Sequence, residues 1–308
     1  MPEELVKIES VSKFYGKVLG LNDITISFGR GITGLLGPNG AGKSTMIKLI
    51  TGQIKPNIGS ISVLGEKVWN NPSLNQRVGY CPEQESFYDS MTGLQFVTYL
   101  ARLDGISKRE AKKRAEEVLR VVGLHKDMKR PVGGYSKGMK QRAKIAQSLV
   151  NDPELLVLDE PLAGTDPLGR VNIIELIRDL VRDGKHLIIS SHVLYEIERI
   201  TDEVVLINNG KLVASGNIHD IRDSMDRFPL TVRVRTKESP ALSRLLIGME
   251  IVSSVSYGDD RNTLLARTSD PGRFYPDFQR IIHEEGLKID EIDSPDDNLD
   301  AIFKYLVD

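Results

Sequence analysis

The feature that most constrains this chain is the run Gly37-Pro38-Asn39-Gly40-Ala41-Gly42-Lys43-Ser44, set between an apolar strand and a helix. The pattern G-x-x-x-x-G-K-[ST] in that context is a P-loop. The apolar lead-in is Ile32-Thr33-Gly34-Leu35-Leu36, and a helix is predicted from about Lys43. Glycines let backbone N–H groups close around phosphate oxygens, and the helix N-terminus adds favourable potential there. Lys43 is expected to reach the β/γ-phosphates of ATP and Ser44 to offer its hydroxyl to Mg²⁺. Gly37, Pro38, Asn39, Gly40, Ala41, Gly42 and Thr45 complete the nucleotide-binding set expected at this loop.

A second element fits the first. Leu155-Leu156-Val157-Leu158 is an apolar strand that ends in Asp159-Glu160. Carboxylates at the tip of a buried strand are unfavourable unless a cation offsets them. Asp159 suits the Mg²⁺ shell, and Glu160 suits a general base for an attacking water. Tyr135-Ser136-Lys137-Gly138-Met139-Lys140-Gln141-Arg142 precedes a helix, so Ser136 and the N–H groups after Gly138 offer another helix start suited to an anion.

Around these motifs the chain reads as α/β. Residues 5–32 alternate with period two through Val6, Ile8, Val11 and then Ile24, Ile26, Phe28, which predicts an antiparallel opening sheet. Ser107 and Glu110 form a capping box ahead of the face Ala111, Ala115, Val118, Leu119, Val122. Further on, strands 155–158, 186–190 and 203–208 alternate with helices 169–182 and 195–200, the pattern of a covered, mostly parallel sheet. From about Phe228 the order becomes β-α-β-β-α-β: strands near 230–235, 251–257, 263–268 and 288–292, helices near 239–247 and 271–285. A last helix is predicted over 298–307. This suggests a small ferredoxin-like α+β sandwich. The predicted domains are 4–222, with a helical insert at about 88–135, and 228–308.

Composition narrows the partners. The 308 residues carry 41 Lys plus Arg against 43 Asp plus Glu, a net charge of −2, which gives no long-range pull toward a polyanion. Nucleic acid is therefore not an expected partner. No stretch approaches the roughly 20 apolar residues that span a bilayer. The start lacks a secretory h-region, and the single cysteine, Cys81, excludes an intrachain disulfide. Cytoplasmic residence follows as the expectation, with any membrane contact made through a partner. The basic cluster Lys108, Arg109, Lys112, Lys113, Arg114 reads as a solvated helix face, because Glu110, Glu116 and Glu117 are interspersed.

The P-loop, Tyr135–Gln141, Asp159-Glu160, Gly164-Thr165-Asp166 and Ser191-His192, in this order, resemble the nucleotide-binding cassette of ABC transporters over about residues 4–220. The resemblance implies a P-loop NTPase fold with a mostly parallel core sheet, an antiparallel β subdomain and a helical insert. It implies ATP hydrolysis that powers transport through a separately encoded transmembrane permease, with the chain on the cytoplasmic face of the membrane. Two chains are implied to sandwich ATP, as a homodimer or with a paralogue. Carried over by position, Tyr135–Gln141 stands at the family signature, with Ser136 and Gly138 kept and Lys137 and Met139 departing; Ser136, Gly138 and Gln141 are then nucleotide contacts. Asp166 matches the D-loop aspartate, although Thr165 replaces the usual leucine. His192 looks like the switch histidine and Tyr15 like the aromatic that stacks on adenine. In Gly79-Tyr80-Cys81-Pro82-Glu83-Gln84 the Q-loop position falls on Glu83 or on Gln84, and either side chain can ligate the metal. The variant signature and the small C-terminal domain are similar to ABC-2-type exporter ATPases. The alternative within the family is a soluble ABC ATPase acting on nucleic acid, ribosomes or cluster assembly.

Overall fold

The computed structural model describes residues 4–225, 230–258 and 260–294. The chain divides into two compact units, Met1–Gly216 and Asn217–Asp308.

The first unit opens with strands β1 (Val6–Tyr15) and β2 (Val18–Phe28), paired antiparallel with Val6 opposite Phe28 and Ile8 opposite Ile26. After β3 (Ile32–Leu36) and helix α1 (Lys43–Ile50), β4 (Ile58–Val63) and the short β5 (Glu66–Lys67) complete an antiparallel sheet of order β2-β1-β4-β5. Alternation explains the sheet: Val6, Ile8 and Val11 are buried while Lys7 and Glu9 face out. Helix α2 (Pro72–Arg77) then leads into β6 (Val78–Cys81).

Two helices follow, α3 (Gly93–Leu103) and α4 (Lys108–Val121), and they form the expected insert. The capping box that the sequence reading placed at Ser107 is half formed, with Glu110 N donating to Ser107 Oγ at 3.4 Å. A complete box, missed in the sequence, begins α3: Gln95 N donates to Thr92 Oγ1 and Thr92 N donates to Gln95 Oε1. On α4 the face Ala111, Ala115, Val118, Leu119 is buried, while Lys108, Arg109 and Lys112 are exposed. Lys108, Arg109, Lys112 and Lys113 form a solvated surface, while Arg114 is half-buried and donates from Nε to Val150 O at 3.1 Å.

Helix α5 (Lys137–Ser148), β7 (Leu155–Leu158), α6 (Pro167–Arg182), β8 (His186–Ser191), α7 (Leu194–Glu198), β9 (Glu203–Asn208) and β10 (Lys211–Asn217) finish the unit. The central sheet runs β10-β9-β3-β8-β7-β6, with β9, β3, β8, β7 and β6 parallel. All of β7 and the middle of β8 are buried, as strands covered on both faces must be. Met46, Ile47, Leu49 and Ile50 of α1 join residues of both sheets in one core. Each such side chain contributes up to about 1.5–3 kcal/mol on burial. That packing holds a helix whose first turn has no side-chain cap.

The second unit contains α8 (Ile218–Met225), β11 (Leu230–Arg235), α9 (Ser239–Ile247), β12 (Val252–Tyr257), β13 (Thr263–Thr268), α10 (Pro271–Glu285) and β14 (Glu291–Asp293). Its antiparallel sheet has the order β12-β13-β11-β14, the ferredoxin-like arrangement. Val232, Val234, Leu242, Leu246, Leu264, Phe274 and Phe278 form its core. The last strand is shorter than predicted. Pairing with β11 begins only where Asp290 N donates to Arg235 O, and the carbonyl of Lys288 is taken instead by Thr236 Oγ1. The predicted helix 298–307 lies outside the described residues.

Candidate nucleotide site

The loop after β3 takes its shape from its glycines. A Cβ on Gly37 would clash with the carbonyl oxygen of Ile207 in β9, and Gly42 has φ +111° with Gly20 O only 2.8 Å from where its Cβ would stand. Gly42 is also the N-cap of α1, so the first N–H groups of that helix receive no side-chain acceptor, and its first turn carries no acid. Such a helix start suits an anion. Lys43 folds back over the loop, donating from Nζ to Gly37 O at 2.7 Å and Pro38 O at 3.3 Å, and is 7% exposed.

Opposite it stands the tip of β7. Glu160, also 7% exposed, has φ +48°, an uncommon conformation for a residue with a side chain. Its N–H donates to Ser190 Oγ at 2.8 Å, and the same hydroxyl donates to Asp159 Oδ1 at 2.6 Å. The Glu160 carboxylate then lies between two side chains: Oε1 is 3.5 Å from the Lys43 ammonium, and Oε2 is 3.0 Å from His192 Nδ1. His192 is 46% exposed, so it joins this buried group to solvent. Ser190 was not singled out from sequence. Its place follows from the strand register: Leu158 stands opposite Ile189, which puts Ser190 beside Asp159, and no local pattern in the sequence marks it.

Burial pushes the Asp159 carboxyl above the usual range; Ser190 counters this by hydrogen bonding, while the Glu83 and Glu160 carboxylates add to it and Lys43 opposes it. The Glu83, Asp159 and Glu160 carboxylates thus stand against the ammonium groups of Lys43 and Lys144, an excess of negative charge that a divalent cation would offset. Among the described residues no group of three or more His, Cys, Asp or Glu side chains is arranged to hold a metal. Ser44 and Glu83, oxygen donors of the hard kind that Mg²⁺ takes, line the cavity described next, while Asp159 is buried and does not line it.

A cavity of about 510 Å³ joins these parts. It is lined by Tyr15, Val18, Leu19 and Gly20 on one side, by Pro38, Asn39, Gly40, Gly42, Lys43, Ser44 and Thr45 along its floor, and by Glu83 and Glu160. Its size falls within the range of small-molecule sites. Gly37 and Ala41 do not line it; they pack behind the loop. Tyr15 is 45% exposed, with Lys13 Nζ 5.5 Å from its ring centroid. Of the open pair Glu83 and Gln84, only Glu83 reaches the cavity wall.

Other expected residues lie elsewhere. Ser136 caps α5 by accepting from Met139 N at 3.3 Å and is exposed, with Gly138 half-buried beside it; neither lines the cavity. Gln141 is buried one turn into α5 on the core side, and its Nε2 points at Cys81 Sγ 3.6 Å away. Asp166 also stands apart from the cavity, where Oδ1 accepts from Gly169 N at 2.7 Å and caps α6. Cys81 is fully buried, and that burial raises its thiol to about 12, as expected of a packing residue. A second cavity, about 500 Å³, lies on the sheet of the C-terminal unit between Arg233, Arg235, Asp260, Glu291 and Asp293; Arg233 and Asp293 are bonded to each other.

The sequence profile of the family described as ABC transporter matches residues 21–163. The chain is 36% identical over 237 residues to the uncharacterized ABC transporter ATP-binding protein YxlF of Bacillus subtilis, covering 76% of this chain and 78% of that protein. It is 32% identical to the bacitracin transport ATP-binding protein BcrA of Enterococcus faecalis, covering 99% of this chain and 97% of that one. Among solved structures, an ATP binding subunit of an ABC transporter superposes with a TM-score of 0.63 at 31% identity, over 72% of this chain and 93% of the other. No helix among the described residues is long and apolar enough to cross a membrane.

Proposed function

Since the chain belongs to the ABC transporter family as an ATP-binding, ATP-hydrolysing subunit, we propose that it drives export of a small molecule through a separate transmembrane permease from the cytoplasmic face of the membrane. The likeness to a bacitracin transport subunit over nearly the whole length, C-terminal unit included, supports export and favours it over a soluble ATPase acting on nucleic acid or ribosomes. The net charge of −2 points the same way.

The observation that carries the reading is the cavity itself, with an aromatic ring at one side and Lys43 and Glu160 at the other. Tyr15 would stack on adenine, and the N–H groups at the start of α1 with Lys43 would hold the β- and γ-phosphates. Ser44, Asp159 and Glu83 would hold Mg²⁺, which when bound neutralises phosphate charge. Glu160 would take the proton of the attacking water, its carboxylate aimed by His192 and by the Ser190 bond to its N–H. Ser136 and Gly138 lie outside the cavity of their own chain, which supports a role on a second cassette, a copy or a paralogue, with two ATP molecules between them. The cassette of this proposal is residues 4–222; residues 228–308 would regulate or dimerise. The permease would dock on the segment 83–92 with α4.

Replacing Glu160 by Gln keeps shape while removing basicity, so hydrolysis should fall by about 10²-fold or more and the closed dimer should accumulate with Mg-ATP. Light scattering of that variant decides the matter: a monomer at saturating nucleotide overturns the sandwich.

A further inference from the structure

Helix α5 is fastened along one face to the segment that carries Glu83. Gln147 Nε2 approaches Tyr80 O at 3.5 Å, and Gln141 Nε2 approaches Cys81 Sγ at 3.6 Å. Lys144 Nζ donates to Pro82 O and to Glu83 O, both at 2.8 Å. One turn earlier Lys140 Nζ lies 3.3 Å from Glu85 and 5.7 Å from the ring centroid of Phe87. The spacing 140, 144, 147 is one helical stripe, laid against residues 80–87 in the opposite direction.

Lys144 is the anchor of that stripe. It is 4% exposed, and its two bonds fall where the sheet stops. The last carbonyl of β6, Cys81 O, accepts from Asp159 N at 2.9 Å; the next two carbonyls, Pro82 and Glu83, have the Lys144 ammonium as their partner. Bonds from a charged donor are stronger than neutral ones. Burying an ammonium for a clip between two backbone groups is an expensive choice unless the clip's position matters.

We infer that Lys144 is a positioning residue for ATP hydrolysis: it fixes the backbone at Pro82 and Glu83 so that the Glu83 carboxylate is held at the cavity wall, and it ties that placement to the helix whose first turn carries Ser136 and Gly138. From Ser136 to Lys144 is two turns of helix, about 12 Å. Any displacement of the α5 N-terminus is thereby passed to Glu83 through a single rigid element. The inference rests on the reading of Glu83 given above.

The test uses the full chain as Lys144→Met and Lys144→Gln, each alone and combined with Glu83→Ala, with steady-state ATP hydrolysis and amide hydrogen exchange as readouts. Residues that orient ligating groups cost about 10- to 100-fold when removed. Lys144→Met should therefore lower kcat about tenfold with KM for ATP within about twofold, since phosphate binding at the P-loop is untouched. Exchange should quicken at residues 83–85 and not in α1. Lys144→Gln, which can still donate to one carbonyl, should recover part of both losses, and it carries the test if the methionine variant does not fold. With Glu83→Ala already present, Lys144→Met should cost little more. Unchanged exchange at 83–85, unchanged kcat in both Lys144 variants, or losses that multiply in the double variant would overturn the inference. Full activity of Glu83→Ala alone would instead overturn the role given to Glu83, which separates that failure from this one.

Discussion

Ser190 offers the sharpest test of how the hydrolytic tip is built. Its hydroxyl is buried, accepts from Glu160 N and donates to Asp159 Oδ1, so Ser190→Ala removes two hydrogen bonds at once. A buried N–H left without a partner costs about 1–3 kcal/mol, and a bond to a charged acceptor contributes about 1.5–3 kcal/mol. The two share one hydroxyl and are not additive, so the expected loss is about 3 kcal/mol. For a unit of this size that corresponds to a Tm lower by roughly 6–12 °C. The N–H bond also holds Glu160 at φ +48°, and releasing it lets the carboxylate leave its place between Lys43 and His192. Hydrolysis should fall by roughly 10- to 100-fold, the scale for a misplaced catalytic group. Ser190→Thr keeps the hydroxyl and should retain most of both properties. Thermal unfolding followed by circular dichroism, with phosphate release on the same samples, measures both. An alanine variant with Tm within about 2 °C of the parent and unaltered turnover would refute the reasoning.

Three further outcomes are expected. Because burial raises the folded-state carboxyl of Asp159, its charged form opposes folding as pH rises above the unfolded carboxylate value; Asp159→Asn should stabilise the nucleotide-free chain near neutral pH, and the gain should vanish as pH falls through the acidic range, as measured by Tm against pH. Gly42→Ala, at φ +111° and against Gly20 O, should destabilise the cassette by at least about 1–2 kcal/mol in denaturant titrations and weaken binding of a fluorescent ATP analogue. A chain ending at Met225 should still bind that analogue, since the lining of the cavity runs only from Tyr15 to Glu160; a folded truncation that binds none would count against the division of labour proposed for the two units.

The parts of this site with local chemistry were legible in the sequence. A P-loop needs only its glycines, lysine and serine in order, and buried strands such as Leu155–Leu158 announce themselves by having no polar face. The reading gave way where a residue's task depends on a distant partner. Gln141 belongs to the signature run, yet the helical turn carries it onto the core side against Cys81, sixty positions away in the chain. Ser190 and Lys144 look like an ordinary strand serine and a helix lysine until the register of β7 with β8 and the packing of α5 on residues 80–87 are known. The Thr92–Gln95 box was local and readable, but apolar residues after it are not confined to the buried face, Tyr99 and Leu103 being exposed, so α3 stands out less than α4, whose apolar face is set among charges.

The position of β3 has a consequence for how the molecule comes into being. This strand, at residues 32–36, is hydrogen-bonded on one side to β8 at 186–191 and on the other to β9 at 203–208. On a ribosome adding about 5–20 residues per second, the strand that feeds the P-loop emerges roughly 8–30 s before its second neighbour exists. The antiparallel sheet closes early, because β1, β2 and β4 lie within the first 63 residues. During that interval two apolar strand edges have no native partner, and a chain stalled between Leu158 and Glu203 should be a preferred client for chaperones and a seed for aggregation. The Asp159–Ser190–Glu160 linkage that fixes the tip of β7 is likewise absent until β8 has been made.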